Sequence, residues 1–89
     1  MTILVLERGH VAIGNLIDDG VMVGLDNAFI IRVWGTTRGL GEIAYGGPTP
    51  KTKLDPCPPI RTHVLKVILR MECNEAAWAK ASLPERPNA

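Results

Sequence analysis

The stretch His10-Val11-Ala12-Ile13-Gly14-Asn15-Leu16-Ile17-Asp18-Asp19-Gly20-Val21-Met22-Val23-Gly24-Leu25 decides the fold. Two short runs of β-branched and aliphatic residues flank Asp18-Asp19-Gly20. That tripeptide carries hairpin chemistry, because Asp tolerates the left-handed backbone region and Gly enters it freely. In the first arm Val11, Ile13 and Leu16 are candidates for one buried face. Gly14 interrupts the arm, as a glycine does at a bulge or a sharp bend. The second arm alternates Val21, Val23 and Leu25 with Met22 and Gly24, the period of a strand with one packed face. The reading is strand, turn, strand.

Outward from this hairpin the strand signals continue. Thr2 to Glu7 is a short aliphatic run that breaks at Gly9-His10. On the other side Asp26-Asn27 reads as a turn, and Ala28 to Trp34 as a strand with Phe29, Ile31 and Val33 on an apolar face. Ile30, Arg32 and Trp34 share the opposite, partly exposed face. Beyond the loop 35–38, residues 39–45 predict about two helical turns with Leu40, Ile43 and Ala44 at helical spacing and Thr36 or Thr37 as N-cap. Residues 46–59 hold five of the chain's seven prolines and predict an extended loop, since Pro excludes a regular helix or a central strand. Ile60 to Glu72 predicts one last long strand with Leu65, Val67, Leu69 and Met71 buried. Asn74 is placed to cap a short helix from Glu75 to about Ser82, packed by Trp78.

These elements predict a mainly β fold, either a small bent antiparallel sheet or an SH3/Sm-like barrel, with a short helix before the last strand and a C-terminal helix. An α+β sandwich is the alternative. At 89 residues with 46% hydrophobic and 21% charged residues, the chain has room for one core and enough apolar surface to fold around it. One domain is expected over residues 1–82, with 83–89 as a flexible tail. A domain this small buries only about 60% of its unfolded surface, which makes a homo-oligomer an expected source of further stability.

The charge balance, ten Lys and Arg against nine Asp and Glu, supplies no broad field for a polyanion, so nucleic acid is not the favoured partner. The apolar run Met1 to Leu6 stops at Glu7-Arg8, too short to span a membrane. A cytoplasmic protein is expected, with Cys57 and Cys73 as thiols. Neither cysteine has a neighbouring histidine at metal-ligand spacing, and Asp18, Asp19 and Asp26 are turn residues, so no metal and no cofactor is expected. His10 and His63 have no nucleophile elbow beside them, and Cys57 sits in Pro56-Cys57-Pro58-Pro59 without an orienting acid. The chain is expected not to be an enzyme.

For binding, the candidates are Arg32, Trp34, Arg38 and Tyr45. Arg32 and Trp34 on one strand face would set a guanidinium beside an indole, a pair suited to a nucleotide's phosphate and base. The plainer alternative is that Trp34 covers a core edge while Arg32 pairs with an acidic neighbour.

The pieces Gly9-His10-Val11-Ala12-Ile13-Gly14-Asn15-Leu16, Val23-Gly24-Leu25-Asp26-Asn27-Ala28, Ile31-Arg32-Val33-Trp34-Gly35, Leu40-Gly41-Glu42-Ile43-Ala44 and Cys73-Asn74-Glu75-Ala76-Ala77 together resemble a family of small phage and prophage proteins classed as a domain of unknown function. The likeness covers nearly the whole chain. It departs at Ile31, where a second arginine is common beside the Arg-x-Trp. The resemblance implies a compact phage accessory protein and no particular reaction. The expected role is to counteract host defence, with a host defence protein or a small nucleotide signal as the partner. A nucleic-acid-binding SH3/Sm-like module and a minor virion structural protein are the alternatives.

Overall fold

The structure, a computed structural model, describes residues 1–85. It is mainly β, a six-stranded antiparallel sheet with two short helices on one face. The strands are β1 (Thr2–Leu6), β2 (Val11–Asp18), β3 (Met22–Val33), β4 (Lys53–Pro56), β5 (Ile60–His63) and β6 (Val67–Glu72). The helices are α1 (Leu40–Gly46) and α2 (Glu75–Ala79). Hydrogen-bonded neighbours run β4-β3-β2-β1-β6, with β5 also paired to β3. The sheet bends but its ladders do not close into a barrel.

The central hairpin forms where its sequence places it, but Val21, expected on the packed face, is exposed before β3 begins. Leu16 packs on the face opposite Val11 and Ile13, because the Gly14 bend and the β3 bulge shift the pairing there. Asp18 and Asp19 accept hydrogen bonds from the N–H groups of Gly20, Val21 and Met22, which fixes the turn. Gly14 marks a bend: a Cβ there would lie 2.8 Å from the carbonyl oxygen of Asp26 and 3.1 Å from Cα of Ala28. The expected turn at Asp26-Asn27 is instead a bulge within one long strand, because β3 advances three residues from Asp26 to Phe29 while β2 advances two. Asn27 takes the left-handed conformation, φ 50°, which lets the extra residue fit.

That bulge turns each arm of β3 so that both faces of the sheet carry apolar side chains. Ile3, Val11, Ile13, Phe29 and Ile31 pack under Leu40, Ile43, Ala44 and Trp78. Leu4, Ala12, Val23, Leu25 and Ala28 form a second cluster on the other face, flanked by Leu6, Leu16, Ile30, Ile60 and Val67. Two-sided burial explains why Ile3-Leu4 reads as an unbroken apolar run rather than an alternating one.

The Pro-rich segment holds a strand rather than loop throughout. β4 and β5 lie end to end along β3 in a single register, Phe29 opposite Pro56 and Leu25 opposite Ile60, and the Cys57 N–H bonds to the Ala28 carbonyl between them. Prolines are compatible with this strand because it is a sheet edge, where outward N–H groups need no partner. Cys57 and Cys73 form no disulfide among the described residues.

Residues 60–72 are not one strand. A 3₁₀ turn at Val64–Lys66 separates β5 from β6, with the His63 ring accepting the Leu65 N–H at 3.1 Å. The turn carries the chain from β3 to the opposite edge beside β1, and the side-chain alternation is lost across it. Leu65 and Leu69, expected in the core, are exposed.

The helices follow their apolar residues. Leu40, Ile43 and Ala44 are buried as expected, but the α1 N-cap is Gly39, not a threonine. Asn74 caps α2 by accepting from the N–H groups of Ala76 and Ala77. Trp78 is buried and donates its indole N–H to the Ile43 carbonyl at 2.9 Å, which fastens α2 to α1. Leu83 is half-buried against the helix-side core; of the tail expected over 83–89, residues 86–89 lie outside the described residues.

Candidate interaction surface

The four residues singled out in the sequence stand in different places. Arg32 sits where the β3–β4 register shifts and donates from Nε to Asp55 Oδ2 at 2.8 Å, an exposed ion pair. Trp34 follows the end of β3, about two-fifths exposed, and its carbonyl accepts the Thr52 hydroxyl. Arg38 belongs to a loop fastened by Glu42, whose Oε1 takes the N–H groups of Thr37 and Arg38 and the Thr37 hydroxyl. Tyr45 is 82% exposed. It follows Ala44, whose carbonyl bonds the Asn74 N–H just past β6, so Tyr45 stands by the β6 edge while Trp34 stands by the β3–β4 edge. Three ladders separate those strands, roughly 14 Å of sheet. Arg32 and Trp34 lie two residues apart with the β3–β4 register shift at Arg32, and Tyr45 lies apart from both.

A groove of about 690 Å³ opens between the Pro-rich segment and α2, lined by Pro48, Thr49, Leu54, Ala77, Ala81 and Leu83 among others. Its two threonine hydroxyls are already engaged: Thr49 donates to the Gly35 carbonyl and Thr52 to the Trp34 carbonyl. They hold the loop after Trp34 against residues 49–52. Among the described residues, no group of three His, Cys, Asp or Glu side chains could hold a metal ion, and no helix is long and apolar enough to cross a membrane.

The most concentrated exposed apolar surface lies elsewhere. Ile17, Val21 and Met22 at the hairpin tip and Leu65, Ile68 and Leu69 at the 3₁₀ turn and the start of β6 are all large and exposed, from 41% at Met22 to 80% at Leu65. The two segments meet: Val64 N–H donates to the Val21 carbonyl at 2.8 Å, Met22 pairs with His63, and Arg70 binds Asp18 at 2.9 Å. A small cleft of about 240 Å³ lies between them, lined by Val23, Val64, Val67, Ile68 and Leu69 with Asp18 and Arg70. The Asp18 carboxyl is held below the ordinary carboxylate range, first by the Gly20 N–H and then by Arg70. Asp19 is lowered likewise by the N–H groups of Met22 and Val21. The turn is therefore anchored by ionised carboxylates, and the apolar side chains around it are presented on a fixed frame.

Sequence reading missed this surface because alternation assigned Val21 in the hairpin and Leu65 and Leu69 in residues 60–72 to packed faces, and all three are exposed. The usable signal was His63, a side chain able to cap a turn, two residues before Leu65. At Cys73, half-buried beside β1, burial pushes the thiol up to about 11, which keeps it protonated and unreactive at neutral pH. No protein-family model matches the chain, and no curated protein matches it.

Proposed function

We propose that the protein is a non-enzymatic binding module that docks on another protein through the apolar end formed by Ile17, Val21, Met22 and Leu65. The observation that carries this reading is the exposure of these four side chains at one end of the sheet, on segments held together by the Val64–Val21 hydrogen bond and the Arg70–Asp18 bridge. Exposed apolar residues gathered on a rigid frame are the usual composition of a protein-binding surface. The charges around them, Asp18, Asp19, Lys66 and Arg70, are of both signs, which suits a protein partner better than a polyanion.

The likeness to small phage proteins adds a setting: an accessory protein acting in the host cytoplasm, with a host defence protein as the partner. Of the two partner classes expected from sequence, the protein is favoured over the nucleotide because the exposed side chains of this end are apolar and its charges are of both signs. The test is affinity capture from host lysate followed by reconstitution with the purified partner. The expected result is one stoichiometric host protein, lost with Val21→Asp/Leu65→Asp and retained with Arg32→Ala. A bound small molecule of nucleotide mass that disappears with Arg32→Ala, or a complex indifferent to Val21 and Leu65, would overturn the reading.

A further inference from the structure

The β6 edge of the sheet presents a second surface. Among the described residues β6 pairs only with β1, in a register that sets Met71 opposite Ile3 and Leu69 opposite Val5. The Cys73 N–H continues that ladder by donating to the Met1 carbonyl at 3.0 Å. In an antiparallel ladder alternate residues send both backbone groups to the same neighbour. Leu69, Met71 and Cys73 therefore face β1, and Arg70 and Glu72 point their N–H and C=O groups off the edge. Asn74, next in that phase, donates outward to the Ala44 carbonyl at 2.8 Å, which is where α1 closes the edge. Among the described residues nothing takes up the outward backbone groups of Arg70 and Glu72.

We propose that a second copy of this chain pairs here, β6 against β6, antiparallel about a two-fold axis at Met71. Backbone phase admits only registers that set outward residues opposite outward residues, and charge chooses among them. An axis at Arg70 would oppose the two arginines, and an axis at Glu72 the two glutamates, each destabilising. An axis at Leu69 would rely on Ile68, which the register shift between Val5 and Leu6 leaves as an unpaired bulge residue. With the axis at Met71, Arg70 lies across from the second copy's Glu72, and Glu72 from its Arg70. These two pairs each exchange two backbone hydrogen bonds.

The sequence around that axis, Leu69-Arg70-Met71-Glu72-Cys73, is self-complementary on both faces of the sheet. One face sets Leu69 against Cys73 and Met71 against itself, and the other sets opposite charges together. The same register brings the second copy's Ile68 alongside Asn74, next to Tyr45. Ile68 and Tyr45 are 66% and 82% exposed in the single chain. The bulge at Ile68 and the closure by α1 limit the pairing to this short segment, so it makes a closed dimer and not a filament. It shares Ile68, Leu69 and Arg70 with the apolar surface described above but uses none of Ile17, Val21, Met22 and Leu65. Glu72→Arg therefore tests the dimer and Val21→Asp/Leu65→Asp tests partner docking, and either reading can fail while the other stands.

The test is sedimentation velocity of the purified chain over a concentration series, with circular dichroism to verify folding. The unmodified chain is expected at twice its 9.7 kDa mass. Glu72→Arg, which leaves the Asp18–Arg70 bridge in place, should weaken dimerisation by roughly tenfold or more, since two opposite-charge cross-strand pairs become like-charge pairs. Arg70→Glu should do the same. An equimolar mixture of these two variants should restore a heterodimer, and Arg70→Glu/Glu72→Arg should restore the homodimer. A monomer at all concentrations, a higher-order ring, or a dimer whose affinity ignores the charge reversals would each overturn the proposal; if Arg70→Glu does not fold, Glu72→Arg, which keeps the Asp18–Arg70 bridge, decides.

Discussion

The two ends of the sheet treat their apolar residues in opposite ways. Under the helices, Ile3, Ile13 and Ile43 are fully buried, and Trp78 seals them with its indole hydrogen-bonded to the Ile43 carbonyl. Around the hairpin tip and the 3₁₀ turn, Ile17, Val21, Met22 and Leu65 are comparable in size and hydrophobicity, yet remain in solvent. Among the described residues no helix covers them, and their backbone is fixed by the Asp18–Asp19 turn and by Arg70. Apolar residues at the first end stabilise the fold. At the second end their burial is left to a partner.

This contrast predicts unequal responses to mutation. Trp78→Ala removes the largest side chain of the helix-side core together with its hydrogen bond to the Ile43 carbonyl, which keeps the Gly47 N–H as donor, so a loss of about 3–5 kcal/mol is expected in urea unfolding. That is a large part of the stability of so small a domain, and the variant should be partly unfolded at 37 °C. Gly14→Ala acts on the bend between the two clusters. Its Cβ meets the Asp26 carbonyl oxygen and Leu25 Cβ, neighbours that belong to a packed strand, and a loss of about 1–3 kcal/mol is expected in the same measurement.

A smaller effect is expected from acid at the open end. The Asp18 and Asp19 carboxyls have folded pKa values lowered from the ordinary 3.8. Their contribution is thus fully present above that value and is lost as pH falls through the lower folded values. The amide resonances of Gly20, Val21 and Met22 should shift together below pH 3.8, while those of β1 stay in place. Titration of these amides at or above the ordinary carboxylate value would show that the turn is not held by ionised aspartates.

How much of this was legible in the sequence depends on how local its cause is. The Asp18–Gly20 turn, the bend at Gly14, the apolar face of α1 and the Asn74 cap each follow from a few adjacent residues and stand in the structure as read. The faces of the hairpin arms do not: Val21 is exposed, and Leu16 packs opposite Val11 and Ile13. The strand in the Pro-rich segment was not legible, because its support is the β3 edge beside it. The break at Val64–Lys66 was hidden by a period of two in Leu65, Val67, Leu69 and Met71 that a single 3₁₀ turn and a bulge put out of phase. At the candidate site, sequence found the residue types able to bind but not their environment. The pairing of Arg32 with Asp55 and the separation of Tyr45 from Trp34 are consequences of strand order, which local pattern does not encode.

The most direct test of the division between the sealed and open ends is the unfolding free energy of Val21→Asp/Leu65→Asp, measured by urea denaturation beside the unmodified chain. Surface substitutions of this kind change stability by only about 0.5 kcal/mol, and an unchanged midpoint and slope are the result predicted here. A loss of about 2 kcal/mol or more, the scale of a buried aliphatic side chain, would place these residues in the core and contradict the account.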